Sequence, residues 1–189
     1  NAITITEGDQ LLEARLTSGN CEIMMAVKSG RAIRFPEAKV RHTGRGAIGV
    51  RGIEVNGKND EVVGMICVEN GDNSKTVMVV SEKGYGKRTA IDDYRVTNRG
   101  GKGVKTINVT DKTGYLIAIL DVEEKNDLMI TCKSGITIRM AISQIREAGR
   151  ATQGVRLIRL DENDEIAAVA RLEEQDDNNE EPVVTQIEN

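Results

Sequence analysis

Four positively charged positions recur at matching places in three stretches of the chain: Arg34, Arg88 and Arg139; Arg41, Arg95 and Arg146; Arg45, Arg99 and Arg150; and Arg51, Lys105 and Arg156. Each third position lies in a glycine-rich loop, which reads Thr-Gly-Arg-Gly-Ala-Ile-Gly at 43–49, Thr-Asn-Arg-Gly-Gly-Lys-Gly at 97–103 and Ala-Gly-Arg-Ala-Thr-Gln-Gly at 148–154. Cations beside glycines suit phosphate. In the second loop Arg99 and Lys102 supply charge, while Gly100 and Gly101 remove side chains that would hold the backbone away from an anion. The last glycine of each loop, Gly49, Gly103 or Gly154, reads equally as a bulge or turn residue. The two roles are compatible, because a loop that the fold requires is a natural place to carry a cation.

Catalytic groupings are absent from the pattern. The single histidine, His42, has Val96 and Glu147 at its equivalent positions, and the acid pair Asp92-Asp93 has no counterpart in the other copies. Tyr94 stands where Val40 and Ile145 stand elsewhere, which marks it as packing. Nothing pairs a nucleophile with a base, and no cofactor is expected. Cys21, Cys67 and Cys132 are odd in number and lack a C-x-x-C spacing, which suits a reducing compartment better than a disulfide framework or a zinc site.

The elements that must position these cations form an internal repeat. Residues 23–55, 77–109 and 128–160 align without a gap, and the copies begin 54 and 51 residues apart. A period near ~50 marks an array. Each copy opens with an apolar run and a turn (Ser29-Gly30, Lys83-Gly84, Ser134-Gly135) into a short alternating segment, which reads as a tight hairpin. After the loop comes a β-branched segment at 50–55, 104–109 or 155–160, then a fourth apolar run at 62–68, 116–122 or 166–172. Four strands per unit with no convincing helix describe an all-β, propeller-like array of four-stranded blades: about three complete blades over 1–172 and partial ends. Residues 2–5 match the end of a third strand, and 11–16 match a fourth.

The overall charge of −4 conceals a segregation. The repeats carry +5, +4 and +5, whereas 161–189 carries eleven acids against the single Arg171. The field that a partner meets depends on such clusters and not on the sum. Residues 173–189 hold seven acids, no base and Pro182, and read as an acidic disordered tail. With no apolar run of membrane length and no leader pattern, the chain reads as cytoplasmic, without a membrane partner. Phe occurs once and Trp not at all, so stacking on single strands is disfavoured and sequence-independent contact with duplex DNA is favoured.

The combination Gly-Arg-x-x-x-Gly-Val-Arg-x-Ile, at 44–53 and again at 149–158, preceded by Gly-Arg-Ala-Ile-Arg-Phe at 30–35, resembles the C-terminal domain of the DNA gyrase A subunit over nearly all of 2–172. The resemblance implies a β-pinwheel whose basic rim wraps duplex DNA in support of ATP-dependent negative supercoiling. It also implies partners in the breakage-reunion domain of the same polypeptide and in the gyrase B subunit, with the catalytic tyrosine and the ATPase elsewhere. The family's box, Gln-Arg-Arg-Gly-Gly-Lys-Gly, is matched by Arg99-Gly100-Gly101-Lys102-Gly103 in its last five positions, while Thr97 and Asn98 depart from it. Two alternatives stand beside this reading: the corresponding domain of the topoisomerase IV A subunit, and a propeller that binds protein.

Overall fold

Alternation of apolar and polar residues sets the local structure, because successive side chains in a strand face opposite sides. In the computed structural model, which describes residues 2–57, 59–162 and 164–173, eleven strands and three short 3-10 turns make up the fold. The expected acidic tail, beyond Glu173, lies outside the described residues. The hairpins fall where the glycine turns predict: β1 (Cys21–Val27) with β2 (Arg31–Pro36), β4 (Thr76–Ser81) with β5 (Tyr85–Ala90), and β8 (Asp127–Cys132) with β9 (Thr137–Ala141). The fourth apolar runs become β3 (Val62–Glu69), β7 (Leu116–Val122) and β11 (Ile166–Leu172), each antiparallel to the first strand of its own unit.

The third segment behaves differently from a simple blade. Only β6 (Val104–Lys105) and β10 (Val155–Arg156) are strands, and each pairs with the hairpin of the preceding unit, β6 with β2 and β10 with β5. The sheets are therefore β3-β1-β2-β6, β10-β5-β4-β7 and β11-β8-β9. Two have four strands, and the third has three among the described residues. Residues 50–55 form no strand: among the described residues no hairpin pairs with them as β2 pairs with Val104–Lys105 and β5 with Val155–Arg156. Residues 2–20 also contain no strand, so the fourth strand expected over 11–16 does not form, whereas Thr4 takes the place that Glu54 and Asn108 hold in the later third segments. The amide of Thr4 donates to Ala47 O at 3.1 Å, as Glu54 does to Gly101 O and Asn108 to Thr152 O, both at 3.0 Å.

Packing follows the same order. Met24, Ile66 and Val68 of the first sheet bury against Val77, Val79 and Ile119 of the second. Met78 and Val80 of the second then meet Leu128, Ile130 and Ile142 of the third. Tyr94 is buried, with its hydroxyl 2.5 Å from Thr106 Oγ1, so its packing role is as expected. The last glycine of the second and of the third loop enters where backbones nearly touch, while Gly49 of the first meets open space. A Cβ on Gly103 would collide with Ala32 O, and one on Gly154 with Gly86 O, so only glycine permits these crossings.

Candidate nucleic-acid interface

The four series of cations separate once each is followed to its contacts. The strand series faces inward. Arg34 Nε donates to Glu22 at 2.6 Å and its Nη1 to Ile91 O at 2.8 Å, while Arg88 Nε donates to Ile145 O at 2.8 Å and Nη1 to Glu124 at 2.7 Å. Ile91 and Ile145 bracket the 3-10 turns of the next unit, so each guanidinium fastens one blade to its successor. Their side chains are 13% and 7% exposed, whereas Arg139, with no unit beyond it among the described residues, pairs only with Asp127 and is 63% exposed. A planar guanidinium with five donors suits several carbonyls at once.

The loop series is divided. Arg99 donates from Nε to Lys39 O and from Nη1 to Arg51 O, both at 2.9 Å, and Arg150 Nη1 donates to Lys105 O at 3.1 Å. Each thus clasps the third segment of the preceding unit, and both are half-buried. Arg45 makes no such bond among the described residues and is exposed. The amide of Gly100 donates to Gly52 O at 2.6 Å, so in this loop that N–H is already engaged and Gly101 is the open position.

The remaining cations face outward. Arg41, Arg95, Arg146, Arg51, Lys102, Lys105 and Arg156 are all exposed, and among the described residues none forms an ion pair. Arg95, Asn98 and Lys102 border a shallow cleft of about 180 Å³ floored by Ala32, Ile33 and Gly103. The contacts string these groups together. Arg31, opposite Lys105 across the β2–β6 pair, donates to Lys102 O at 2.9 Å and Gly103 O at 2.8 Å. Arg156 donates to the Tyr85 hydroxyl at 2.9 Å, beside Lys112, whose Nζ lies 5.4 Å from the Tyr85 ring centre.

Lys87 is the buried cation that the repeat comparison passed over. It stands where the other copies have Ile33 and Ile138, a substitution visible in the alignment. Fully buried, it donates to Gly149 O at 2.5 Å, Arg150 O at 2.6 Å and Thr152 Oγ1 at 3.2 Å, and so anchors the third loop from below. Burial pushes its ammonium down to about 8, the nearby Arg150 charge adds to the effect, and Asp93 opposes it. Between about 8 and the ordinary lysine value of 10.5 the unfolded chain holds more protons at this site than the folded one, so this group makes stability rise with pH across that window. We expect the melting temperature of wild type to gain on that of Lys87→Met as pH rises from 8 toward 10. A constant gap between the two variants, followed by calorimetry, would exclude this linkage.

None of the other chemistry gathers into a site. Burial raises the thiols of Cys21, Cys67 and Cys132, which disfavours thiolate reactivity. Among the described residues no cluster of His, Cys, Asp and Glu could hold a metal ion, and no helix is long and apolar enough to cross a membrane.

Repeated blades that exchange strands and carry outward cations define a propeller of the pinwheel type. The profile of the DNA gyrase C-terminal domain, described as a β-propeller, matches residues 22–69, 75–123 and 126–173, and the chain belongs to that family. It is 44% identical over 176 residues to the DNA gyrase A subunit of Staphylococcus aureus strain MRSA252, covering 93% of this chain and 20% of the relative. The match to the NCTC 8325 protein is 44% over 181 residues, 95% of this chain and again 20% of the relative. The chain thus spans about one fifth of the curated relatives that it matches. Among solved structures, a DNA gyrase A C-terminal domain superposes with a TM-score of 0.81 at 26% identity, over 90% of this chain and 57% of that one. A topoisomerase IV C-terminal domain superposes with a TM-score of 0.84 at 20% identity, over 91% and 53%, a likeness of fold.

Proposed function

We propose that this chain binds and wraps duplex DNA on a curved basic edge without reading sequence, and that within a full-length gyrase A subunit the wrap serves negative supercoiling. The breakage-reunion domain of that polypeptide, together with the gyrase B subunit, would then act on the wrapped duplex. The observation that carries the reading is the set of exposed cations without ion-pair partners, recurring once per blade as Arg41, Arg95 and Arg146 and again as Arg51, Lys105 and Arg156. Exposed charges add little to the stability of a fold, so a structural need does not account for these two series. The strand series is different: its ion pairs and inter-blade bonds explain its recurrence.

A row of phosphates satisfies such periodic cations, and the cost of bending the duplex, about a few kcal/mol, is offset by the phosphate interactions that the bend permits. Bases are not involved, because these groups reach the backbone. Arg45, Arg99, Lys102 and Arg150 extend the row along the loops, Arg99 and Arg150 with part of their donors engaged. The test removes charge where no structural bond is lost. Arg95→Ala combined with Lys102→Ala should weaken binding to unrelated duplexes about equally and make the slope of log K against log salt shallower by about 2. Unchanged affinity in the folded double variant, or a loss confined to one sequence, would reject the reading.

A further inference from the structure

We infer that Lys87, although fully buried, is a positioning residue for DNA: its ammonium and the Thr89 hydroxyl shape the loop at 148–153 so that backbone amides of the loop face the phosphates. The inference rests on the wrapping function proposed above and adds to it residues that exposed charge does not reveal. Both side chains belong to β5 of the second unit, and neither is exposed. Three consecutive carbonyls of the loop turn down onto them. Thr89 Oγ1 donates to Ala148 O at 2.9 Å, and Lys87 Nζ donates to Gly149 O at 2.5 Å and to Arg150 O at 2.6 Å.

In a trans peptide the carbonyl and the amide that follows it point in opposite directions. Carbonyls of 148, 149 and 150 that face the sheet therefore send the amides of Gly149, Arg150 and Ala151 outward, and none of the three finds a backbone acceptor among the described residues. Successive outward N–H groups beside a guanidinium suit a phosphate. Gly149 and Ala151 are exposed, and among the described residues nothing lies within 4 Å of the Cβ position of Gly149, so a duplex backbone has room to approach.

The arrangement is peculiar to this loop. Under the loop at 97–103 the equivalent positions are Ile33 and Phe35, which have nothing to donate, and there the amide of Gly100, the counterpart of Ala151, is engaged by Gly52 O. The cradle also requires the charged form of Lys87. Thr152 Oγ1 gives its own hydrogen to Gly149 O at 3.0 Å, so at 3.2 Å from Nζ it accepts, and Lys87 serves three acceptors at once. An ammonium has three hydrogens to give and a neutral amine only two. Around that ammonium Arg150 disfavours the charge and Asp93 favours it, while Tyr94, hydrogen-bonded to Thr89, is raised by burial and stays neutral.

Fluorescence titration of one duplex with the full 189-residue chain at fixed salt tests this. At pH 7, Lys87→Met should bind about tenfold more weakly than wild type, the effect of losing one hydrogen bond to a charged group. Arg150→Ala should cost about tenfold in wild type but less than about twofold in the Lys87→Met background, because the loop no longer presents that residue, whereas independent roles would add. Circular dichroism verifies that each variant folds. The pH profile of wild type is a second measurement that needs no variant. With the Lys87 ammonium pushed down to about 8, the protonated form and its tighter grip are lost as pH rises, so affinity should fall about fivefold from pH 7 to 9 and approach that of Lys87→Met, which stays level. The thiols, raised by burial, titrate above this window. A wild type that does not bind duplex would reject the wrapping function and this inference with it. Undiminished affinity in folded Lys87→Met, additive losses in the double variant, or a level wild-type profile would overturn the inference alone.

Discussion

DNA affinity should collapse with salt. If the basic edge contacts ~6–10 phosphates, each contact releases condensed counterions, and binding falls by ~10³–10⁵ between 50 and 200 mM salt. The basis is the number of exposed cations that form no ion pair among the described residues, eight of the predicted site residues with Arg45 included. Arg34 and Arg88 should contribute nothing to the slope, because their guanidinium groups are already bonded to carbonyls and carboxylates of the protein. Fluorescence titration of one duplex at several salt concentrations gives the slope directly. A flat dependence would mean that few phosphates are engaged and would remove wrapping as the mode of binding.

The second large effect concerns stability and divides three equivalent glycines. Gly103→Val and Gly154→Val place a branched side chain against the backbone oxygens of Ala32 and Gly86 and force positive φ values of 65° and 77° on a residue that resists them. The crossing of two backbones cannot relax as a side chain could, so a loss of about 3–5 kcal/mol is expected. Gly49→Val carries a similar φ of 93° but meets open space, and should cost about 1 kcal/mol. Thermal melts of the three variants provide the comparison. Equal losses at all three positions would show that backbone strain, and not the inter-unit crossing, decides the requirement for glycine.

Much of this was legible in the residues. The hairpins were marked by apolar runs around Gly30, Gly84 and Gly135, and the fourth strands by further apolar runs, because those signals are local. The partner of the third segment was not legible, since a repeat states what each unit contains and not which neighbour receives its strand. The same reason hid the contacts that Arg34 and Arg88 make with the next blade. Their recurrence was visible, but recurrence alone cannot separate a cation that greets a ligand from one that binds the next blade. Lys87 carried a faint signal, a charge where two copies have isoleucine, whose meaning depended on the carbonyls of Gly149 and Arg150 far along the chain.

The exchange of strands between units also bears on how the polypeptide leaves the ribosome. The first sheet begins at Cys21 but acquires its edge only when Val104 and Lys105 emerge, and the second begins at Thr76 and waits for Val155 and Arg156. At synthesis rates of ~5–20 residues per second each sheet spends several seconds with β2 or β5 as a bare edge. Arg31 and Arg34 lie on the first of these edges and Lys87 and Arg88 on the second. Charges on an exposed edge discourage pairing with other nascent chains, so cations that end up fastening finished blades would first protect unfinished ones.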